Sequence, residues 1–228
     1  ASGVARENHH VYNGSAWVKE GYLHEPETAT NLITYSNDFT ATLWQDGTPT
    51  GSMAVTANAL VSPSGLNDAS KLVPTSTSLR PTTAYKATAP LITTWPFTSA
   101  VYAKKGEYDY LVTTVGAYAS GFWAAFNLAT GEVHSQPTDA ESTAYIESVG
   151  SGWYRCWIVC TDGGSSERSL ITPSVDGTIT TNYTDTTSGI YIWGAQFEAG
   201  SVPTSYIPTD AGSTVTRAAD TLTLPVAN

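Results

Sequence analysis

The 7 tryptophans and 13 tyrosines of this 228-residue chain are the side chains with most to offer a ligand. An indole or phenol ring stacks on the flat C–H face of a pyranose, and planar polar groups beside it bind the hydroxyls. Strand alternation sorts these rings into two faces. In Phe122-Trp-Ala-Ala-Phe-Asn-Leu, the apolar Phe122, Ala124, Phe126 and Leu128 share the core face, leaving Trp123 and Asn127 on the other. In Trp153-Tyr-Arg-Cys-Trp-Ile-Val-Cys, Tyr154, Cys156, Ile158 and Cys160 alternate with Trp153, Arg155, Trp157 and Val159. Arginine is seldom buried unless paired, so the Arg155 face is expected to be the accessible one. Tyr102 and Lys104 lie opposite Val101 and Ala103. In Ile190 to Glu198, Tyr191, Trp193, Ala195 and Phe197 are expected in the core, with Ile190, Ile192, Gly194, Gln196 and Glu198 facing away. The non-core faces thus offer Tyr102, Trp123, Asn127, Arg155, Trp157 and Gln196. If their strands are neighbours in one sheet, that sheet carries an aromatic and polar patch. Two readings stay open: a ligand site, or a packing interface covered by the N-terminal arm or another subunit.

Signals for catalysis are sparse. Hydrolysis by a nucleophile needs Ser or Cys with His and a carboxylate. The 4 histidines lie outside any nucleophile-elbow context. Glu107 and Asp109 are candidates for a glycosidase pair only because they are close in sequence, and a solvated turn is the plainer reading. His9-His10 lacks a further ligand nearby. Catalytic residues, resident metals and cofactors are therefore not expected, although Asp162, Asp176 and Asp185 lie in loops where structural calcium could sit. The two cysteines, Cys156 and Cys160, share one strand. Residues four apart on a strand are separated by roughly 13 Å, too far for a disulfide. They are expected to be reduced, buried and suited to a reducing cytoplasm.

Composition narrows the class. The net charge is -10 and the sequence pI about 4.6. The 10 Lys and Arg are scattered, which argues against a nucleic acid or an anionic membrane surface as partner. No apolar run reaches membrane-span length, so no membrane insertion is expected. The beginning, Ala1-Ser-Gly-Val-Ala-Arg, has neither Met nor a signal-peptide core, as in a processed product or a piece of a longer polypeptide.

Only 13% of residues are charged, and Thr, Tyr and Gly abound, which favours sheet over helix. Strands are expected near 31–36, 40–45, 53–60, 69–74, 83–89, 97–105, 108–116, 122–128, 143–149, 153–161, 167–173, 189–198 and 219–224, with Gly-containing turns between them. That spacing predicts a sandwich or jelly roll. Residues 1–27 read as an N-terminal arm or connector, either a short hairpin turning at Asn13-Gly between His10-Val-Tyr and Ala16-Trp-Val, or an extended arm. Residues 28–228 read as one all-β domain.

An ordered series of segments carries a resemblance. It runs through Thr30-Asn-Leu-Ile-Thr-Tyr-Ser-Asn-Asp-Phe, Trp44, Val55-Thr-Ala-Asn-Ala, Phe97-Thr-Ser-Ala-Val-Tyr-Ala-Lys-Lys-Gly and Ala125-Phe-Asn-Leu-Ala-Thr-Gly-Glu-Val. It ends with Gly152-Trp-Tyr-Arg-Cys and Ile192-Trp-Gly-Ala-Gln-Phe-Glu-Ala-Gly, followed by an extended tail bearing Pro203 and Pro208 and by Thr216-Arg-Ala-Ala-Asp. Together these resemble the lectin-like, carbohydrate-binding jelly-roll module of bacteriophage tail fibre, spike and related particle proteins. The position of Trp157 is more often small and polar in that family. The resemblance implies a jelly-roll β-sandwich and non-catalytic adhesion to a bacterial surface polysaccharide. It further implies location on a virion or phage-like particle assembled in the bacterial cytoplasm, contact with other virion proteins, and a homo-oligomer, commonly a trimer. A structural virion protein serving assembly alone and a polysaccharide depolymerase are the alternatives.

Overall fold

Period-two alternation of small and apolar residues organises this chain into antiparallel sheets. The computed structural model describes residues 6–13, 15–44, 53–79, 81, 86–88, 95–115, 122–138, 141–161, 168–210 and 212–221. A six-stranded sheet runs in the order β11 (Ser142–Gly150), β12 (Trp153–Cys160), β7 (Phe97–Lys105), β14 (Ile190–Ala199), β5 (Ala69–Pro74) and β4 (Met53–Leu60). A five-stranded sheet runs in the order β10 (Glu132–Ser135), β9 (Trp123–Asn127), β8 (Tyr110–Val115), β13 (Arg168–Ser174) and β6 (Lys86–Thr88). Two short pairs complete the set, β1 (Arg6–Tyr12) with β2 (Trp17–Leu23), and β3 (Ala29–Asn31) with β15 (Val215–Arg217).

The two large sheets bury their facing sides in one core, as a β-sandwich does. The six-stranded sheet contributes Leu72, Phe97, Val101, Cys156, Ile158, Ile190, Ile192 and Phe197, and the five-stranded sheet Leu111, Val115, Ala124, Phe126 and Ile171. A polar tie crosses this interior: the Ser99 and Ser169 hydroxyls meet at 2.9 Å. Each satisfies the other where water is excluded. Both cysteines are free and buried on the core side of β12. Burial pushes the Cys160 thiol up to about 12 and the Cys156 thiol well above its ordinary value.

The Asn13 turn forms as expected. Its Oδ1 accepts the backbone N–H groups of Ser15 and Ala16 at 3.1 and 3.0 Å, and Tyr12 pairs with Trp17 across the hairpin. Such local side-chain bonding is why Asn favours turns.

Several sequence expectations need correction. Of the strand expected over 40–45, residues 40–44 do not form one, and residue 45 lies outside the described residues. Thr42–Trp44 is a 3-10 turn, because it must drop the Trp44 ring into the core against Phe39 while its Nε1 donates to the Tyr35 carbonyl at 2.8 Å. The strand expected over 31–36 is instead Ala29–Asn31, and the last strand among the described residues is Val215–Arg217; of the expected 219–224, residues 219 and 220 are not strand, Thr221 makes an isolated bridge, and 222–224 lie outside the described residues. Of the expected strand 83–89, the described part is Lys86–Thr88.

A further correction concerns β14. Ile190 and Ile192 face the core, and Tyr191 and Trp193 face away from it, joining a separate outer cluster. Between Trp193 and Gln196 the strand advances three residues while its partner β7 advances two, from Tyr102 to Ala100. This bulge, with Gly194 at φ +60°, inverts the alternation, so Ala195 and Phe197 return to the core.

Phe126→Ala and Phe197→Ala should each cost roughly 3–5 kcal/mol, read from urea melts. A cost under about 1 kcal/mol would mean these rings are not core. The thiols give a pH expectation. Their protonated form is favoured on folding, so their contribution is complete below the unfolded thiol value of about 8.5 and is lost as pH rises towards 12. Cys160→Ala should flatten the alkaline fall in stability between those limits. In the native protein at pH 8, both thiols should resist alkylation until denaturant is added.

Candidate binding face

The outer side of the six-stranded sheet gathers most of the aromatic and polar residues that alternation turned away from the core. Cross-strand pairing sets them in rows. One row reads Tyr145, Trp157, Ala100, Gln196, and the next Glu147, Arg155, Tyr102, Trp193. Directly opposed side chains in such rows lie within reach of one another. Tyr145 and Trp157 stack with centroids 5.4 Å apart at 17°, and Tyr145 remains 45% exposed. Tyr102 meets Trp193 edge-on at 5.2 Å, while the Arg155 guanidinium lies 5.4 Å from the Tyr102 ring centre. Burial raises the Tyr102 phenol above its usual value, Arg155 opposes this, and the charge of Glu147 adds to it.

An extended strap, residues 203–209, crosses the β14 part of this face. Its backbone is hydrogen-bonded by side chains rather than by a neighbouring strand. Glu198 accepts the N–H of Thr204 at 2.7 Å and its hydroxyl at 2.7 Å. Gln196 accepts the N–H of Ile207 at 2.7 Å and donates to Glu198 at 2.6 Å. Arg155 donates through both Nη atoms to the carbonyls of Pro203 and Thr204. Gln196 and Glu198 are consequently buried, although they face away from the core. Tyr206 brings its ring onto Trp193 at 4.5 Å and its hydroxyl to Ser36 Oγ at 2.7 Å.

Asn31 holds strap, bulge and β3 together. Its Nδ2 donates to the carbonyls of Ala195 and Ile207 at 3.1 and 2.9 Å. Its Oδ1 accepts the N–H groups of Ile33 and Phe197, both at 3.1 Å. The side chain is fully buried, with all four hydrogen-bonding positions used.

The N-terminal hairpin stands over the same face beside the strap, and between them lies a groove of about 320 Å³. Tyr102, Arg155, Glu147 and Tyr206 form its floor, while Tyr12 and Trp17 supply rings from the hairpin side. The hairpin seats against Gly150 at the end of β11. A Cβ there would come within 3.2 Å of Trp17 Nε1 and 3.3 Å of the Tyr12 ring. The hairpin's exit is fastened to the chain's far end. Glu25 Oε1 accepts the N–H of Ser205 at 2.8 Å and lies 3.5 Å from Arg217 Nη2, and Asp220 Oδ2 accepts the N–H of Glu25 at 2.9 Å. Arg217 and Asp220 are both buried.

The six residues singled out by alternation therefore divide. Tyr102 and Arg155 line the groove, and Trp157 lies one row away on the same face. Gln196 shares that face but is enclosed by the strap. Trp123 and Asn127 belong to β9 in the opposite sheet, so the expected single patch of six does not form. Asn127 caps its own turn, accepting the N–H groups of Ala129 and Thr130 at 2.9 and 3.1 Å. Alternation overlooked Tyr145 and Glu147, which face outwards between Ala144, Ile146 and Ser148 and were open to the same argument. Tyr12, Trp17 and Tyr206 carry no such signal, because their positions depend on where hairpin and strap come to rest.

The remaining candidates have other engagements. Lys71 pairs with Glu107 at 2.8 Å, and its hydrogen bond holds that carboxyl below its usual range. Lys105 pairs with Asp109 at 2.9 Å. Asp176 accepts bonds from Thr178 and Thr181 within its own loop. Asp185 does likewise with Ser188 and Thr187, whose N–H groups pull its carboxyl well down. Asp162 and the His9 side chain lie outside the described residues. Among the described residues, no three His, Cys, Asp or Glu side chains cluster as metal ligands would. No protein-family model matches the chain, and no curated protein is significantly similar to it.

Replacing Asn31 with Ala strands two buried N–H groups and two carbonyls. It should cost roughly 3 kcal/mol in urea melts and unfasten the strap, seen as faster amide exchange at Ile207. Slow exchange there in Asn31→Ala would show that the strap is held without it.

Proposed function

We propose that this protein is a non-catalytic carbohydrate-binding or receptor-binding module, a jelly-roll sandwich carried on the surface of a phage or phage-like particle. It would hold the particle to a bacterial surface glycan. The observation that supports the reading is the groove between hairpin and sheet. It combines the rings of Tyr12, Trp17, Tyr102 and Tyr206 with the hydrogen-bonding groups of Glu147, Ser148 and Arg155. Flat apolar rings beside polar groups suit the two kinds of surface a sugar presents. The exposed Tyr145–Trp157 stack extends the aromatic surface on the same side of the sheet. Weak single sites would gain avidity from several copies on one particle.

Assembly alone is the second reading. Its support is the hairpin, where Trp17 and Val18 are 54% and 36% exposed. Those are side chains that a neighbouring subunit, as in a trimer, would cover.

Trp17→Ala separates the two. Because Trp17 is largely exposed, the melting temperature should hold. Binding to host cells or their purified polysaccharide should fall by tenfold or more, as at an interface hot spot. Trp157→Ala should weaken binding without changing oligomer size. Full binding by both folded variants would remove the aromatic site from consideration, and dissociation of an oligomer by Trp17→Ala would assign the hairpin to assembly. Release of reducing ends from the polysaccharide would instead reveal a depolymerase.

A further inference from the structure

The groove's ionic groups bear on the charge of what it accepts. Besides His10, the charged side chains along it are Glu25, Glu147 and Arg155. Two of these three are committed to the fold. The Glu25 carboxylate holds the Ser205 N–H and faces Arg217. Arg155 uses its Nη atoms on the strap carbonyls, and its Nε is buried without a partner. Most of the guanidinium's bonding is thus taken up by the strap, so a ligand carboxylate entering the groove would have to compete for what remains of it. Glu147 differs from both. It is exposed, stands directly across from Arg155 on β11, and its field reaches the floor at Tyr102.

We infer that the groove takes an uncharged glycan, and that Glu147 is the specificity-determining residue that turns acidic glycans away. The inference rests on the glycan-binding reading above. A carboxylate accepts two neighbouring hydroxyls through strong charge-assisted bonds, so Glu147 suits a neutral sugar. The same charge repels uronate or other carboxylate-bearing units, since like charges brought together at a contact are unfavourable. The net charge of -10 acts in the same direction at longer range.

The test uses an array of neutral and acidic bacterial polysaccharides at pH 8. Each acidic polysaccharide is printed twice, once native and once after carbodiimide and borohydride reduction of its carboxylates to hydroxymethyl groups. The protein should bind among the neutral and reduced glycans, and leave the native acidic forms unbound. In Glu147→Gln the ratio of acidic to neutral affinity should rise roughly tenfold. Binding to a native acidic glycan that disappears on reduction would overturn the inference while upholding a glycan-binding function. An affinity ratio unchanged in Glu147→Gln would overturn the role given to Glu147. Binding to no glycan of either kind would overturn both the inference and the reading beneath it.

Discussion

The Asn31 carboxamide is the interaction on which the candidate face depends. Two donors and two acceptors on one short side chain meet four backbone groups drawn from three separate stretches of chain. Aspartate would lack the donors for the Ala195 and Ile207 carbonyls, and serine lacks the reach and the number. With Asn31 in place, the backbone around the β14 bulge keeps its bonds despite the local break in the ladder. The bulge in turn decides which side chains reach the core and which reach the strap. Gln196 and Glu198 can then serve the strap, and the strap brings Tyr206 over Trp193 and occupies Arg155. A single buried amide thus sets the geometry of a surface that it never reaches.

The strap shows how such a surface is held without another strand. Polar side chains pointing away from a sandwich are ordinarily wetted. Here Gln196 and Glu198 are drier than several of the aromatic rings, because an extended peptide lies across them. Burying a carboxylate is costly unless its oxygens are bonded. Thr204 and Gln196 supply those bonds to Glu198. The rings of Tyr145 and Trp17, by contrast, stay substantially exposed. This inversion, polar groups covered and aromatic groups exposed, distinguishes a structural use of side chains from one suited to a ligand.

Alternation made much of the sandwich legible in the residues. The faces of β7, β9 and β12 follow it throughout, because those strands run through the core without a break in phase. Phe126, Cys156, Ile158 and Val101 lie where their spacing puts them. The method failed at β14, where Gly194 sits within a strand and reverses the phase. Gly194 inside the strand is the one local hint of a bulge, and it does not by itself say which side of it keeps the phase. It also could not assign strands to sheets. Trp123 and Trp157 each face away from the core, and only long-range pairing reveals that they do so on opposite sides of the molecule. The Pro203 and Pro208 tail was recognisably extended, but its destination was not encoded locally. The Asn13 hairpin was visible from its turn chemistry, and its seat on Gly150 was not.

That seat separates the stability of the fold from the variability of its surface. The strands of the hairpin pair with each other and not with either large sheet. A two-stranded ribbon has little stability of its own, so it depends on the sandwich, while no described side chain of the hairpin belongs to the sandwich core. The wall of the groove is therefore a tenant of the fold, and its exposed positions, Ser15 to Glu20, can change while the interior sequence stays as it is. A lineage needing to recognise new surfaces would find its freedom in those few residues, with the floor left as the common ground against which each new wall is tried.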